Sequence, residues 1–454
     1  MKLYKIFYLL LSIGLLTSCE NQLEINPTDN IPGQLAFGSE ANISGILVGT
    51  YEEAGQADTY GGGLQLMTNM LGATNESFWL GTFIQPREAF TKRLLVDNVF
   101  IEGVWSNAYE TINQANLVID NLTTVISSNG EKNRIEGEAK FLRALNYFDL
   151  VRNFGAPYAL GQANSQLAVP LRKTGIVDYS TRSEIVRSTV DEVYTQVIND
   201  ANEAYSLLPE NNSFYADKYA AKALLARVYF QQGNYAAARD AAHDVIQNSG
   251  HSLTASYAEA FNNDVDSDED IFTFQVTSQT GTNQLINHYA SEADGGRGGD
   301  IRIEQAYLNL FTDPNDQRGK FTYINPANSR RLTLKYTNQF GNLTVFRIGE
   351  MHLIRAESNF RENTSIGLAP LTEINVLRQR STASSLEAPL SLNLFATERK
   401  LELAFEQGFI LHDAKRTRTS IGALAWNANE LVFPIPQTEM DTNPLMVQNV
   451  GYTN

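Results

Sequence analysis

Residues 218–247, KYAAKALLARVYFQQGNYAAARDAAHDVIQ, have the pattern of two helices joined by a tight turn. The first half carries one apolar face at helical spacing, formed by Ala221, Leu224, Leu225, Val228 and Tyr229. Gly233 and Asn234 tolerate a left-handed backbone, so they predict the end of the first helix. The second half continues the stripe with Ala238, Ala242, Val245 and Ile246. Because alanine is small, the two helices are expected to pack closely.

The spacing of small and aromatic residues in this hairpin, at Ala226, Tyr229 and Ala238, resembles the tetratricopeptide pattern of helix-turn-helix units. Such a unit cannot bury its apolar face alone and needs neighbouring units. Ser39 and Ser183 are the expected N-caps of two further helices. The helices predicted elsewhere in the chain lie at 39–53, 99–122, 134–154, 183–208, 347–360, 368–380 and 397–415. The chain is therefore predicted to be mainly α-helical, with four helix pairs and an irregular lobe.

The segments between the helices predict the irregular lobe. Residues 55–85 are rich in glycine and show no helical period, and residues 277–300 have the composition of a long loop. Residues 271–276, IFTFQV, predict a short strand. Residues 331–346 predict a β-hairpin that turns near 338–342.

The composition limits the size of the fold and the kind of partner. The chain has 454 residues and a hydrophobic content of 43%, which suffices for one large domain or two intimate lobes. Its formal net charge of −16 argues against nucleic acid as the main partner. The net charge does not exclude an acidic ligand held by a local basic patch.

The N-terminus has the region order of a lipoprotein signal peptide. Lys2 and Lys5 precede an apolar run at 6–16, which is too short to span a bilayer. The sequence LTSC that ends at Cys19 then resembles the bacterial lipobox, in which the cysteine becomes the lipidated first residue. Cys19 is the chain's only cysteine, so it forms no internal disulfide. The alternative is an unprocessed export signal with an incidental cysteine.

These features predict a simple domain order. A signal peptide at 1–18 is followed by a tether at 19–38 and one domain at 39–454, whose N-terminal part covers about 39–215 and whose C-terminal part covers about 260–454. No other stretch of the sequence is long and apolar enough to span a bilayer. Anchoring to the membrane is therefore expected through the lipid on Cys19.

Eight segments, in order along the chain, resemble the SusD/RagB family of outer-membrane nutrient-binding lipoproteins. They are the lipobox at Cys19, YETINQANLVIDNL from Tyr109, GEAKFLRALNYFDLVRNFG from Gly137, AAKALLARVYFQQGNYAAA from Ala220, RIGEMHLIRAES from Arg347, INVLRQR from Ile374, ERKLELAFE from Glu398 and LVFPIPQTEMDTNPLMVQNVGY from Leu431. A single segment of this kind is a weak signal because short helices of this composition are common, but eight segments in order are a strong signal for the family. In one departure, Phe405 and Glu406 are not followed by the arginine that the family usually places there. This leaves one local buried ion pair in doubt.

The resemblance implies a fold of four tetratricopeptide-like helix pairs packed against an irregular lobe with a few short strands and long loops. It implies a non-catalytic protein that is lipid-anchored in the outer membrane of a Gram-negative bacterium and faces the cell exterior. The implied role is to bind an oligosaccharide or polysaccharide and deliver it to a partner TonB-dependent, SusC-like transporter during polysaccharide uptake and degradation. The alternative is a binding lipoprotein of the same fold for peptides or another non-sugar nutrient. No cofactor is expected.

Glu398, Glu402 and Glu406 raise the alternative of a glycosidase, since their i, i+4, i+8 spacing would line one helical face. A glycosidase needs two carboxyl groups that face each other across a sugar bond, and neighbours on one helix do not provide this arrangement. Structural ion pairs are the preferred interpretation, and the nearby cations are Arg399, Lys400, Lys415, Arg416 and Arg418. No catalytic residue is predicted.

The acidic run DVDSDED at 264–270 resembles the start of a calcium loop. Its sixth position is Glu269, where an EF-hand needs glycine, and its twelfth is Gln275, where an EF-hand needs a bidentate glutamate. The run is therefore interpreted as an acidic surface loop. The five histidines show no metal-ligand spacing, so no metal site is predicted.

Ligand-binding residues are expected among loop aromatics, because aromatic rings stack on the C–H face of a pyranose while polar side chains bind its hydroxyl groups. Trp105 is expected in the core, and Trp426 fits either role. Trp79 is the preferred ligand contact, with packing in the core of the lobe as the open alternative. The candidates form two clusters, the first being Trp79, Phe78, Asn75 and Glu76 and the second Tyr289, His288, Arg297 and Arg302. If Trp79 contacts the ligand, Trp79→Ala removes glycan binding and leaves the thermal midpoint nearly unchanged.

Overall fold

The computed structural model describes residues 36–178, 184–277, 279 and 283–453. The predicted signal peptide, Cys19, most of the tether and Ser183 lie outside these residues. Within the described ranges, no helix has both the length and the apolar character that a membrane span requires.

Helices dominate the described part of the chain. In order they are α1 (Glu40–Ala54), α2 (Gly63–Gly72), α3 (Ile84–Thr91), α4 (Val99–Asp120), α5 (Asn129–Phe154), α6 (Val190–Leu207), α7 (Lys218–Gln232), α8 (Tyr235–Asn248), α9 (Gln284–Tyr289), α10 (Gln305–Leu308), α11 (Gln317–Lys320), α12 (Ile348–Glu362), α13 (Pro370–Arg380), α14 (Leu392–Glu402), α15 (Phe409–Thr417) and α16 (Gln437–Thr442). The short strands are β1 (Ser77–Trp79), β2 (Asp270–Phe274), β3 (Ile301–Ile303), β4 (Thr322–Ile324), β5 (Arg331–Thr333) and β6 (Leu343–Arg347).

Eight of the helices pack in a continuous row, in the order α1, α4, α5, α6, α7, α8, α12 and α13. The α7–α8 hairpin shows why the sequence folds in this way. The Asp217 side chain accepts two backbone hydrogen bonds and caps the start of α7. Gly233 ends α7 with a φ of 79°, in the left-handed region that favours glycine. Ala238 and Ala242 are fully buried, as close packing requires. The predicted row of four helix pairs is confirmed.

The helix predicted at 183–208 begins later, at Val190. Thr189 and Glu192 cap it reciprocally. The Thr189 hydroxyl accepts a hydrogen bond from the Glu192 backbone N–H at 3.2 Å, and the Glu192 carboxylate accepts one from the Thr189 N–H at 2.7 Å. A threonine followed three residues later by glutamate is a sequence signature of this cap, so the start was readable from the sequence.

The single helix predicted at 397–415 is wrong. Two helices, α14 and α15, cover this region and are separated at Leu403 to Gly408. The backbone of Phe405, Gln407 and Gly408 has φ values of 67°, 46° and 66°, so the helix cannot continue through these residues. A Cβ atom at Gly408 would overlap the Thr68 side chain of α2, which explains why glycine occupies this position.

The irregular lobe contains more regular structure than the sequence pattern predicts. Residues 55–85 include α2, a helix that is buried at every residue and therefore shows no amphipathic period. Residues 277–300 include α9 and are not one long loop. The hairpin predicted at 331–346 is also wrong, because β5 pairs with β4 while β6 pairs with β2. The strand predicted at 271–276 is confirmed as β2.

Ten charged side chains, five of each sign, form what we call the buried charge cluster, which joins the lobe to α13 and α14. Its members are Glu269, Asp316, Arg318, Lys335, Arg347, Arg378, Arg380, Glu398, Glu402 and Glu406. Arg347 lies near its centre and contacts Glu269 at 3.1 Å, Glu402 at 2.7 Å and Glu406 at 2.8 Å. A buried charge is tolerated only when it is paired, so the carboxylates and the cations of this cluster stabilise each other.

The three glutamates that suggested a glycosidase all belong to this cluster. Glu406 lies beyond the end of α14, so the three do not line one helical face. Burial alone would raise the pKa of Glu402, but Arg380, Arg347 and Arg318 outweigh it and hold that pKa well below its ordinary value. The predicted role in ion pairs is confirmed, although the partners differ from those expected. Lys335 and Arg347 pair with Glu406, so an ion pair persists here without the family's usual arginine.

His412 of α15 is a buried ionisable group outside this cluster, with only 2% of its surface exposed. Burial lowers its pKa well below the ordinary value, and the neighbouring charges of Arg152, Lys415 and Arg227 lower it further. The folded protein therefore keeps this imidazole neutral under conditions in which an unfolded chain would protonate it.

The unfolding free energy is expected to fall as the pH drops below about 6.5, because the unfolded chain then binds a proton at His412 that the folded chain excludes. His412 lowers the unfolding free energy by roughly 1.4 kcal/mol for each pH unit below that value. Chemical denaturation between pH 5 and pH 8 measures it. His412→Leu should remove this part of the slope, whereas His251→Leu, at a half-buried site, should keep it. Equal slopes for His412→Leu and the unaltered protein would contradict the assignment.

Candidate functional site

The first candidate cluster lies on an antiparallel ribbon formed by β1 and β3. Ser77 pairs with Ile303, Phe78 with Arg302, and Trp79 with Ile301. Successive side chains of a strand point to opposite faces, so Phe78 faces away from its two neighbours. Phe78 is 42% exposed and Trp79 only 3%.

Trp79 is therefore placed on a strand and in the interior, not in a polar loop as predicted. Its ring packs against the His288 imidazole, with the ring centres 5.4 Å apart. His288 is itself buried, and its Nδ1 lies 2.8 Å from the carboxylate of Asp300. Tyr289 is fully buried against Tyr336. Three predicted ligand contacts, Trp79, His288 and Tyr289, thus pack inside the lobe, because strand alternation and the buried helix α9 turn them inward.

Trp79→Ala is expected to lower the unfolding free energy by about 3–5 kcal/mol, since it removes a large buried ring and leaves a cavity. This replaces the sequence-based expectation of an unchanged thermal midpoint. Equilibrium denaturation measures the loss, with Phe78→Ala on the exposed face of the same strand as the matched control, expected to change it by less than about 1 kcal/mol. Equal midpoints for the two variants would contradict the placement of Trp79.

Asn75 and Glu76 also separate in the structure. Asn75 is exposed, whereas Glu76 is 7% exposed and its carboxylate lies 2.6 Å from the ammonium group of Lys400 on α14. Burial would raise the pKa of Glu76, but the charge of Lys400 outweighs it and the pKa is lowered. Glu76 therefore links β1 to α14 by an ion pair, and Asn75 stays available beside it.

Two aromatic–guanidinium pairs do face solvent. The Arg302 guanidinium lies 5.6 Å from the centre of the Phe78 ring, directly across the ribbon. The Arg297 guanidinium lies 4.5 Å from the centre of the Phe83 ring and also hydrogen-bonds the Thr82 hydroxyl at 3.3 Å. We call Phe78, Phe83, Arg297 and Arg302 the aromatic face.

Helix α3 sets the separation of the two pairs. Phe83 immediately precedes α3, and Phe90 near its end packs edge-on against Phe78, with the ring centres 5.0 Å apart. The seven residues from Phe83 to Phe90 rise about 10 Å along a helix axis. Because Phe78 contacts the far end of α3 through Phe90, this helix lies between the two exposed rings.

Sequence reasoning missed Phe83, which is 37% exposed, and its neighbour Ile84, which is 58% exposed. Phe83 lies in the short turn between β1 and α3, and Ile84 is the first residue of α3. The sequence shows only two large apolar residues that follow Gly81 and Thr82, and this pattern does not reveal whether their side chains are exposed. The chemistry of this face is stacking by the rings and hydrogen bonding by the guanidinium groups.

A cleft of about 460 Å³ lies beside the ribbon, between the start of β1 and helices α14 and α15. Thr74, Glu76 and Lys400 line its ribbon side, and Ile410 and Phe405 line its apolar side.

Trp105 is buried, as predicted. Trp426 is half-buried beside Arg418.

The acidic run at 264–270 is held by hydrogen bonds within the lobe. Asp270 is buried and accepts hydrogen bonds from the hydroxyl groups of Ser267 and Thr344, both at 2.7 Å. Asp266 accepts hydrogen bonds from Thr273 and Asn342, also at 2.7 Å. In the part of the chain that the structure describes, no group of three or more His, Cys, Asp or Glu side chains has an arrangement that could hold a metal ion.

Two family models match this chain. One, described as starch-binding and associating with the outer membrane, matches residues 23–230, and the other, described as the SusD family, matches residues 175–429. Together with the fold, they define the class as cell-surface or outer-membrane-associated carbohydrate-binding proteins. The chain belongs to the SusD family.

Individual relatives agree with this placement. SusD-like protein P2 of Formosa agariphila is 24% identical over an alignment 520 positions long, which covers 100% of both chains. The crystal structure of a SusD superfamily protein from Bacteroides thetaiotaomicron is similar with a TM-score of 0.78 and 25% identity, covering 90% of this chain and 99% of that one. A laminarin-binding SusD-like protein shares the fold with a TM-score of 0.74 and 21% identity, covering 91% of this chain and 100% of that one.

Proposed function

We propose that this protein holds an oligosaccharide or polysaccharide at the cell surface and delivers it to a partner TonB-dependent, SusC-like outer-membrane transporter. The observation that carries the proposal is the aromatic face, in which two exposed rings each have a guanidinium group beside them. Membership of the SusD family supports a carbohydrate ligand. The binding of laminarin by one structural neighbour makes a neutral β-glucan the first ligand to test.

The proposed role is binding without catalysis. The three glutamates that could have formed a carboxyl pair are held by arginine and lysine in the buried charge cluster. Their carboxyl groups support the fold rather than face a ligand. The exposed groups of the aromatic face bind sugars but include no acid or base suited to glycosidic bond cleavage.

Affinity electrophoresis of the full chain through gels that contain laminarin, starch or other polysaccharides tests the proposed function. We expect retardation by at least one glycan and no release of reducing sugar on long incubation. If no polysaccharide retards the protein and the protein binds members of a peptide library, the alternative of a non-sugar nutrient is favoured. Release of reducing sugar would contradict the non-catalytic role.

Cys19→Ala is expected to move the protein from the membrane fraction to the soluble fraction, because the proposed lipid on Cys19 is its only proposed anchor. Fractionation of cells followed by a carbonate wash measures this change, with the unaltered protein as the control. A Cys19→Ala protein that still pellets with membranes after the wash would contradict lipid anchoring at this residue.

A further inference from the structure

A second cleft of about 460 Å³ lies at the turn between α7 and α8, on the helical side of the protein. It is built from the end of α7, the start of α8, the ends of α12 and α15, the start of α14 and the segment after α5. The polar and aromatic residues that define it are Tyr158, Gln232, Tyr235, Arg361, Arg416 and Arg418. None of the residues of the aromatic face lines this cleft.

The charge of this cleft is opposite to that of the whole chain. Arg361, Arg416 and Arg418 line it, and among the described residues no aspartate or glutamate does so, although the chain has 51 acidic and 35 basic residues. Glu357 lies behind the wall, 2.8 Å from Arg361 and 2.7 Å from Arg416, with its side chain 2% exposed. Asp413 is shared between Arg416 and Arg399. These two carboxylates pair with three arginines, Arg361, Arg416 and Arg399, and the additional charge of Arg418 leaves the cleft positive.

Arg418 supplies charge at the mouth of the cleft. It ends α15 with a φ of 57° and is exposed. Its guanidinium group lies 5.3 Å from the centre of the Trp426 ring, and no carboxylate of the described residues is within ion-pairing distance. An exposed guanidinium group held beside a ring can receive a carboxylate or a sulfate in a bidentate geometry.

The walls of the cleft have the chemistry of sugar recognition. The Arg361 guanidinium lies 4.3 Å from the centre of the Tyr235 ring, and this stacked pair forms one wall. Tyr158 is half-buried and packs against Tyr194, with the ring centres 5.0 Å apart. Gln232 adds an amide that can both donate and accept hydrogen bonds. Half-buried rings, an amide and forked cations together match an acidic sugar better than a neutral sugar or a simple ion.

We propose that the cleft at the α7–α8 turn binds an anionic sugar residue of an oligosaccharide through its carboxylate or sulfate group. Tyr158 and Tyr235 contact the sugar ring, and Arg361 and Arg418 bind the anionic group. The inference rests on the proposed function of glycan binding, but it assigns a different surface and a charged class of ligand.

Titration calorimetry of the full chain with three oligosaccharides tests the inference: a polyuronate, a sulfated galactan and neutral laminarin. For the variant Arg361→Gln/Arg418→Gln we expect the affinity for at least one acidic ligand to fall about tenfold or more, since two charge-assisted contacts are lost. Its affinity for laminarin should stay within about twofold of the unaltered protein. A loss of affinity for the polyuronate identifies the bound group as a carboxylate, and a loss for the sulfated galactan identifies it as a sulfate. Arg93→Gln, which removes an exposed arginine elsewhere, is the matched control and should change neither.

The other outcomes separate this inference from the proposed function. Binding of laminarin without binding of either acidic ligand would overturn the inference and leave the proposed function intact. Acidic binding that is unchanged in the double variant would also overturn it. Binding of no glycan at all would overturn both. If the loss of Arg361 from its pair with Glu357 prevents folding, Arg418→Gln alone, at an exposed position, carries the same test.

Discussion

Arg347→Met is expected to lower the unfolding free energy by about 3–5 kcal/mol, because it removes one partner from a buried set of charges. Arg347 is 2% exposed and contacts Glu269, Glu402 and Glu406. Its removal leaves carboxylates buried with too few cations, which is much less favourable than losing one surface pair. Equilibrium denaturation followed by circular dichroism measures the effect.

Two further variants make this prediction specific. Arg239→Met removes a cation that pairs with the exposed Asp240, and it should change the unfolding free energy by less than about 1 kcal/mol. Adding Glu402→Gln to Arg347→Met should recover part of the loss, because it removes one of the carboxylates left unpaired. Midpoints of Arg347→Met and Arg239→Met that coincide would contradict the role given to the buried charge cluster.

The double variant Phe78→Ala/Phe83→Ala is expected to weaken glycan binding about a hundredfold while the protein stays folded. Each exposed ring that a sugar covers contributes on the order of 1.5 kcal/mol, which is about tenfold in affinity. The two rings lie in separate pairs, so their effects should add. Titration calorimetry with the glycan found by affinity electrophoresis measures the change.

Phe214→Ala provides the matched control. Phe214 is 49% exposed and lies between α6 and α7, on the helical row rather than in the lobe. Its removal should leave the affinity unchanged. The aromatic face would be the wrong site if the double variant bound glycan as tightly as Phe214→Ala does.

The helical row was predictable because its signals are local. Gly233 and the alanines of 218–247 define the α7–α8 hairpin within 30 residues of sequence, and the start of α1 follows from Ser39 as its cap. Helix α2 was not predictable in the same way, since a helix buried on every side has no polar face to set a period. The break between α14 and α15 depends on the contact of Gly408 with Thr68, more than 300 residues earlier in the chain.

The site was only partly predictable for the same reason. The sequence places Phe78 and Trp79 side by side, but which of them faces solvent depends on the pairing of β1 with β3, over 200 residues away. Arg297 and Arg302 were predicted as ligand-binding residues of the second cluster. The structure places them beside Phe83 and Phe78, and their ligand-binding role stays a prediction. Phe83 was missed because its exposure follows from how α3 packs, which residue type alone does not reveal.

Hydrogen–deuterium exchange of the full chain, with and without glycan, tests whether a glycan binds at the aromatic face. We expect slower exchange on glycan binding in peptides that cover residues 77–91 and 295–303, with little change in the helical row when the glycan is neutral. Glycan binding that leaves both segments unchanged and protects another surface instead would contradict it.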